Sequence, residues 1–105
     1  MTPVGKTKDA GWQIGVSRTV PLTRDGVWTR IEDISTWLGE EPDDVRSFKP
    51  LDRIRIGWHG TIVQVALADT STGTRVTFHQ DHLADAAERE RQRDHWKGVA
   101  DRLFG

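Results

Sequence analysis

The chain has 105 residues, and 30% of them are charged, yet 15 Lys and Arg nearly balance 16 Asp and Glu for a formal net charge of −1. That length fits one small domain, and the balance argues against a nucleic-acid or anionic-membrane binder, which carries an excess of basic residues. Cysteine is absent, which excludes disulfides, thiol chemistry and thiolate metal sites.

Residues 1–11 are polar and contain Gly and Pro, and they read as a flexible tail. "WQIGVSRTV" (12–20) alternates, with Trp12, Ile14 and Val16 on one side, as a half-buried strand does. Pro21 ends it, and Thr23 is placed to cap a helix from Arg24. Val27, Trp28, Ile31 and Ile34 then recur at helical spacing. A short turn over Ser35–Leu38 follows, and Gly39 is its C-cap. Four strands come next: 44–48, 53–58, 61–68 and 74–83. Pro50-Leu51-Asp52 turns the first into the second. His59-Gly60 is a two-residue hairpin turn. "DTSTG" (69–73) is all turn chemistry. The last element is the longest, a helix over 85–104. Asp85 caps it, with Glu88 three residues on. Its first half is charged, with opposite charges three apart. Its second half sets Trp96, Val99, Ala100 and Leu103 on one face.

The order predicts an α+β fold: an antiparallel sheet of about five strands (β-α-α-β-β-β-β-α) with the long C-terminal helix on one face. No apolar run approaches the roughly 20 residues of a membrane span. No signal-peptide core is visible near the start either, so a cytoplasmic protein with no membrane partner is expected. Five tryptophans and no tyrosine offer much apolar area to a small core.

"WQIGVSRTVPLTRDGVWTRI", "TWLG", "VRSFKPLDRIRIGW" and "GTRVTFHQDHLADAAERERQRDHWKGVADRL" together resemble the SRPBCC (START-like, birch-pollen-allergen-like) superfamily. The likeness is to its bacterial branch related to the activator of the heat-shock-90 ATPase, and it runs over residues 12–104. The resemblance implies a helix-grip fold whose sheet curls around the last helix. Members usually have a further hairpin between the segments matching "WLG" and "VRSF". Residues 39–44 are too few for it, since two strands and their turns need ~20–30 residues. The chain therefore looks like a member trimmed by about two strands.

Many members hold a small apolar ligand between sheet and helix, and some are cyclases or hydrolases. The residues here that would line such a cavity are Trp12, Trp28, Trp37, Ile56, Trp58, Val65, Phe78, Gln80, Trp96 and Val99. Their alternative role is to pack on one another, to which the lost walls and the five indoles point. The family name also leaves open a chaperone-associated module with a filled core. An enzyme would need a polar residue facing the cavity, and Gln80 and His82 are the candidates. No catalytic residue, cofactor or metal site is assigned. His79 and His82 fall on opposite faces of a strand, so a two-His metal site is disfavoured; they read as surface or rim histidines, the alternative being a site of His79 or His82 with Asp81 or Asp85. His95 lies beside Trp96 on the charged side of the helix. Ser17, Ser35, Ser47 and Ser71 have no nucleophile context. Glu40, Glu41, Asp43 and Asp44 read as a solvated acidic loop. Arg53 and Arg55 share one strand face, either as solvated surface or as an anion or partner patch. With the hairpin absent, strands 12–20 and 44–48 become open edges, and a homodimer through one of them is expected.

Overall fold

The structure, a computed structural model, describes residues 6–7 and 11–105. Alternating apolar residues build five long strands: β2 (Gly11–Val20), β3 (Asp44–Lys49), β4 (Arg53–Trp58), β5 (Thr61–Thr70) and β6 (Gly73–Leu83). A two-residue strand, β1 (Lys6–Thr7), precedes them. The helices are α1 (Arg24–Ile31), α2 (Ile34–Leu38) and α3 (Ala86–Phe104). The strands form one antiparallel sheet in the order β1-β2-β6-β5-β4-β3. The fold is α+β, as the element order predicts. The meander β3 to β6 runs across the sheet, and β2 closes against β6. The expected tail lies mostly outside the described residues; within them, Lys6 and Thr7 pair with Trp12 and Gly11. β3 is the opposite edge.

Local chemistry sets the boundaries. The Thr23 side chain accepts from the Gly26 amide at the start of α1, and Asp85 does the same for Glu88 at the start of α3. Gly39 closes α2 at φ +86°, a left-handed conformation that costs glycine little. His59 and Gly60 both take positive φ, at 51° and 76°, the geometry of a two-residue hairpin whose twist matches its strands. The β5–β6 turn is tighter than "DTSTG" predicts. Asp69 and Thr70 stay in the ladder opposite Thr74 and Gly73, leaving only Ser71 and Thr72 to turn. Cross-strand pairing outweighs turn propensity there.

The pleat divides the sheet into two faces. Ile14, Ile54, Ile56, Val63, Val65, Val76 and Phe78 point to the helices and are buried. With Val27, Ile31, Trp37, Trp96, Val99 and Ala100 from the helices, they form the core. The other face is polar. Arg55, Gln64 and His79 lie opposite one another across β4, β5 and β6, and Arg53, Ala66 and Thr77 form the next row. Between α2 and β3 the chain has only residues 39–43, and no strand forms there. Among the described residues, no helix is long and apolar enough to cross a membrane.

Candidate functional site

The space between α3 and the sheet is occupied by aromatic side chains. Trp96 from α3 stacks on Phe78 from β6, centroids 5.5 Å apart and planes 14° from parallel. Trp37 from α2 meets both rings, at 6.1 Å from Phe78 and 6.0 Å from Trp96. Trp58 meets Trp96 edge-on at 6.0 Å. Trp37, Phe78, Trp96, Ile56 and Val65 are wholly buried, and Val99 nearly so. Trp28 sits on the flank of this group, edge-on to Phe48 of β3 at 5.3 Å. Trp12 is half-buried and packs against the core from the β2 side. Nine of the ten residues that the family resemblance assigns to a cavity thus lie in or against one hydrophobic core, and the tenth, Gln80, is bonded to Trp96 within it.

Gln80 is the polar member of that group, 2% exposed. Its side-chain oxygen accepts from the Trp96 indole at 2.8 Å, and its amide donates to the Thr61 hydroxyl at 2.9 Å. Both ends of the amide are therefore engaged within the core, as a buried amide must be. His82, the other residue considered for chemistry, is exposed and takes φ +62°. The pairing of β2 with β6 shifts register here, between Trp12 and Ile14. His82 therefore sits on a bulge, away from the buried amide. His79 is on the polar face, its ring within 2.8 Å of Gln13. Among the described residues, no three His, Asp or Glu side chains are placed to hold a metal ion.

The acidic loop is not merely solvated. The Glu40 carboxylate accepts from the Trp58 indole at 2.7 Å and pairs with the His59 ring. The bond from Trp58 holds the Glu40 carboxyl below its ordinary range, helped by the charge of His59. Asp43 accepts from the His59 amide at 2.9 Å. The Asp44 carboxylate lies over the bare α-carbon of Gly57, where a methyl group would overlap it, and pairs with Arg46 at 3.4 Å. These exposed acids fasten the loop to the β4–β5 hairpin. The acids alternate with no helical or strand pattern, so sequence offers no partner for them; the hairpin reaches them only after folding.

His95 is also placed differently from its sequence reading. It packs against Trp58, rings 5.7 Å apart and 27° from parallel, rather than among the charged residues of α3. Its Nε2 is buried without a hydrogen-bond partner. Desolvation, and next the positive Arg102, push its pKa down from the ordinary imidazole value.

Two surface clefts accompany the sheet. One, of about 560 Å³, lies at the β4–β5 hairpin; Gly57 and Ile62 form its floor, and Asp44, Arg46 and His82 its sides. Asp43 also lines it, so two carboxylates stand against the one guanidinium of Arg46. The other, of about 390 Å³, lies beside the start of α1, where Arg24 is held by Asp69 and by the Leu51 carbonyl, each at 2.7 Å.

The most distinctive apolar surface is the β3 edge. Val45 is 52% exposed, Phe48 45% and Leu51 37%. An odd spacing would normally put Val45 and Phe48 on opposite faces. The register shift between Val45 and Ser47 sets both on the helix-facing side instead, opposite Ile56 and Ile54. A bulge of this kind adds one residue to a strand, and no signal in "DVRSF" announces it.

No family model matches the chain, and no curated protein does. Solved structures do resemble it. A Staphylococcus saprophyticus protein superposes with a TM-score of 0.72 at 14% identity, covering 87% of each chain. An AHSA1-like protein from Aeromonas hydrophila gives 0.68 at 16% identity, covering 87% of this chain and 88% of that one. A putative protein from the dynemicin biosynthetic locus gives 0.72 at 18% identity over 87% of this chain, but only 45% of its own length. At such identities the likeness establishes the fold alone, an antiparallel sheet with a long C-terminal helix packed on it.

Proposed function

We propose that this chain is a non-enzymatic, cytoplasmic interaction domain of SRPBCC-like fold that forms a homodimer along the β3 edge. The observation that carries this reading is a contrast between interior and edge. Trp37, Phe78 and Trp96 fill the space between sheet and α3, while Val45, Phe48 and Leu51 are exposed beside a strand with no outer neighbour. An unpaired edge invites another strand, a two-fold axis satisfies two such edges at once, and the three apolar side chains add area to the backbone pairing. A small apolar ligand between sheet and helix would have to displace an indole from close packing. A cyclase or hydrolase reading would rest on Gln80 or His82; both ends of the Gln80 amide are bonded, and His82 is exposed on the β2–β6 bulge.

Light scattering on the eluting protein tests this. A dimer is expected at high micromolar concentration, and Val45→Glu with Phe48→Glu should convert it to a folded monomer. A wild-type protein that stays monomeric overturns the dimer. Saturable quenching of Trp fluorescence by an apolar ligand would instead favour a ligand site in the interior.

A further inference from the structure

Arginine is rarely left without a partner in this chain. Arg18 pairs with Asp101, Arg24 with Asp69 and Arg46 with Asp44; Arg30 and Arg102 donate to backbone carbonyls, and Arg89, Arg91 and Arg93 pair with acids of α3. Arg53, Arg55 and Arg75 differ, with no hydrogen bond or ion pair among the described residues. All three are exposed and on the polar face of the sheet. Arg53 and Arg55 stand on β4, two residues and so about 7 Å apart. Arg75 stands on β6, two strand spacings across and offset along the sheet, about 12 Å from Arg53 and about 17 Å from Arg55. Between them runs β5, which presents Ala66 opposite Arg53, Ala68 opposite Arg75 and the longer Gln64 opposite Arg55. Short side chains flanked by long cationic ones make a shallow trough along β5.

We propose that this trough binds an acidic, extended segment of a partner protein. A guanidinium offers a planar fork that matches a carboxylate. Acidic residues at alternate positions of an extended chain repeat at the spacing of Arg53 and Arg55. The alanine floor lets that chain lie close to the sheet, where Arg75 reaches it from the far side. Three cations spread over an open face do not converge on one small anion. A single-stranded nucleic acid would want aromatic platforms; on this face β4, β5 and β6 carry no Trp, Tyr or Phe, and the one ring near the arginines, His79, is bonded to Gln13. The site is separate from the β3 edge and does not depend on dimerisation.

The test uses a fluorescein-labelled peptide of alternating glutamate and glycine, read by fluorescence anisotropy on the full chain. Binding is expected at low salt and weaker near 0.15 M, where screening shortens to about 8 Å. Arg53→Gln with Arg55→Gln should weaken it at least about tenfold, Arg75→Gln severalfold, and Arg93→Gln on α3 not at all. Arg53→Lys with Arg55→Lys keeps charge without the fork and should retain part of the affinity; it also serves if the glutamine variant fails to fold. No binding by the wild type at millimolar peptide overturns the proposal. Equal affinity in the variants does the same, as does tighter binding of inorganic phosphate or an oligothymidylate.

Discussion

The indole nitrogen of Trp96 donates to the side-chain oxygen of Gln80 at 2.8 Å, joining α3 to the centre of β6 through a buried hydrogen bond. Thr61 receives the other end of the same amide. The single buried amide of the sheet thus locates the helix along its axis, a constraint that apolar packing alone, being non-directional, does not impose. Replacing Gln80 by Leu leaves the Trp96 donor buried and unpaired. A loss of about 1–3 kcal/mol is expected for such a group, measured by urea unfolding. A loss below about 0.5 kcal/mol would show that the bond does not matter.

Phe78 and Phe48 make a contrasting pair. Phe78 is fully buried between Trp37 and Trp96, whereas Phe48 is 45% exposed. Phe78→Ala should cost about 3–5 kcal/mol, as large core truncations do. Phe48→Ala should cost less than half as much in the monomer while still weakening self-association. Equal losses in the two unfolding curves would contradict the division between core and edge.

Two glycines separate backbone from side-chain crowding. A methyl group on Gly73 would overlap the carbonyl oxygen of Val20, with the Pro21 α-carbon also close. Neither atom can move without shifting the chain between β2 and α1. A methyl on Gly57 would overlap only the Asp44 carboxylate, which can rotate away. Gly73→Ala should therefore destabilise by about 1–3 kcal/mol and Gly57→Ala by much less. The comparison of melting temperatures checks this, and the reverse order would refute it.

Acid should weaken the fold in two windows. His95 is held below its ordinary value of 6.5 by burial and by Arg102. The unfolded chain therefore binds the proton more readily, and stability falls as the pH drops below 6.5 toward the folded value. A His95→Gln variant should lose that slope in the urea midpoint between pH 7.5 and 5. Glu40 is held below 4.5, chiefly by its bond from Trp58. Its contribution is present above 4.5 and disappears as the pH falls through the folded value, so Glu40→Gln should change the slope only in that lower window. Unchanged slopes would remove both assignments.

Much of the fold is legible before folding because it rests on local chemistry. Alternation marks β2, β4 and β6, Thr23 and Asp85 cap helices where they stand, and Gly39 and His59-Gly60 take the positive φ their positions require. Element order then leaves few antiparallel arrangements, and the long C-terminal helix has one apolar stripe to bury.

What only the tertiary structure decides depends on residues far apart in sequence. The acids at 40, 43 and 44 look like a solvated linker until the β4–β5 hairpin folds back and supplies Trp58, His59 and Gly57 as their partners. His95 leaves the charged side of α3 because Trp58 offers it a ring to stack on. Val45 and Phe48 share a face only because β3 bulges against β4. Arg53, Arg55 and Arg75 become one group only when β5 lies between their strands. By itself, the sequence determines periodicity, caps and turns, since these act within a few residues. Partner choice, bulge position and the packing of five indoles follow from contacts that do not exist until the sheet has closed.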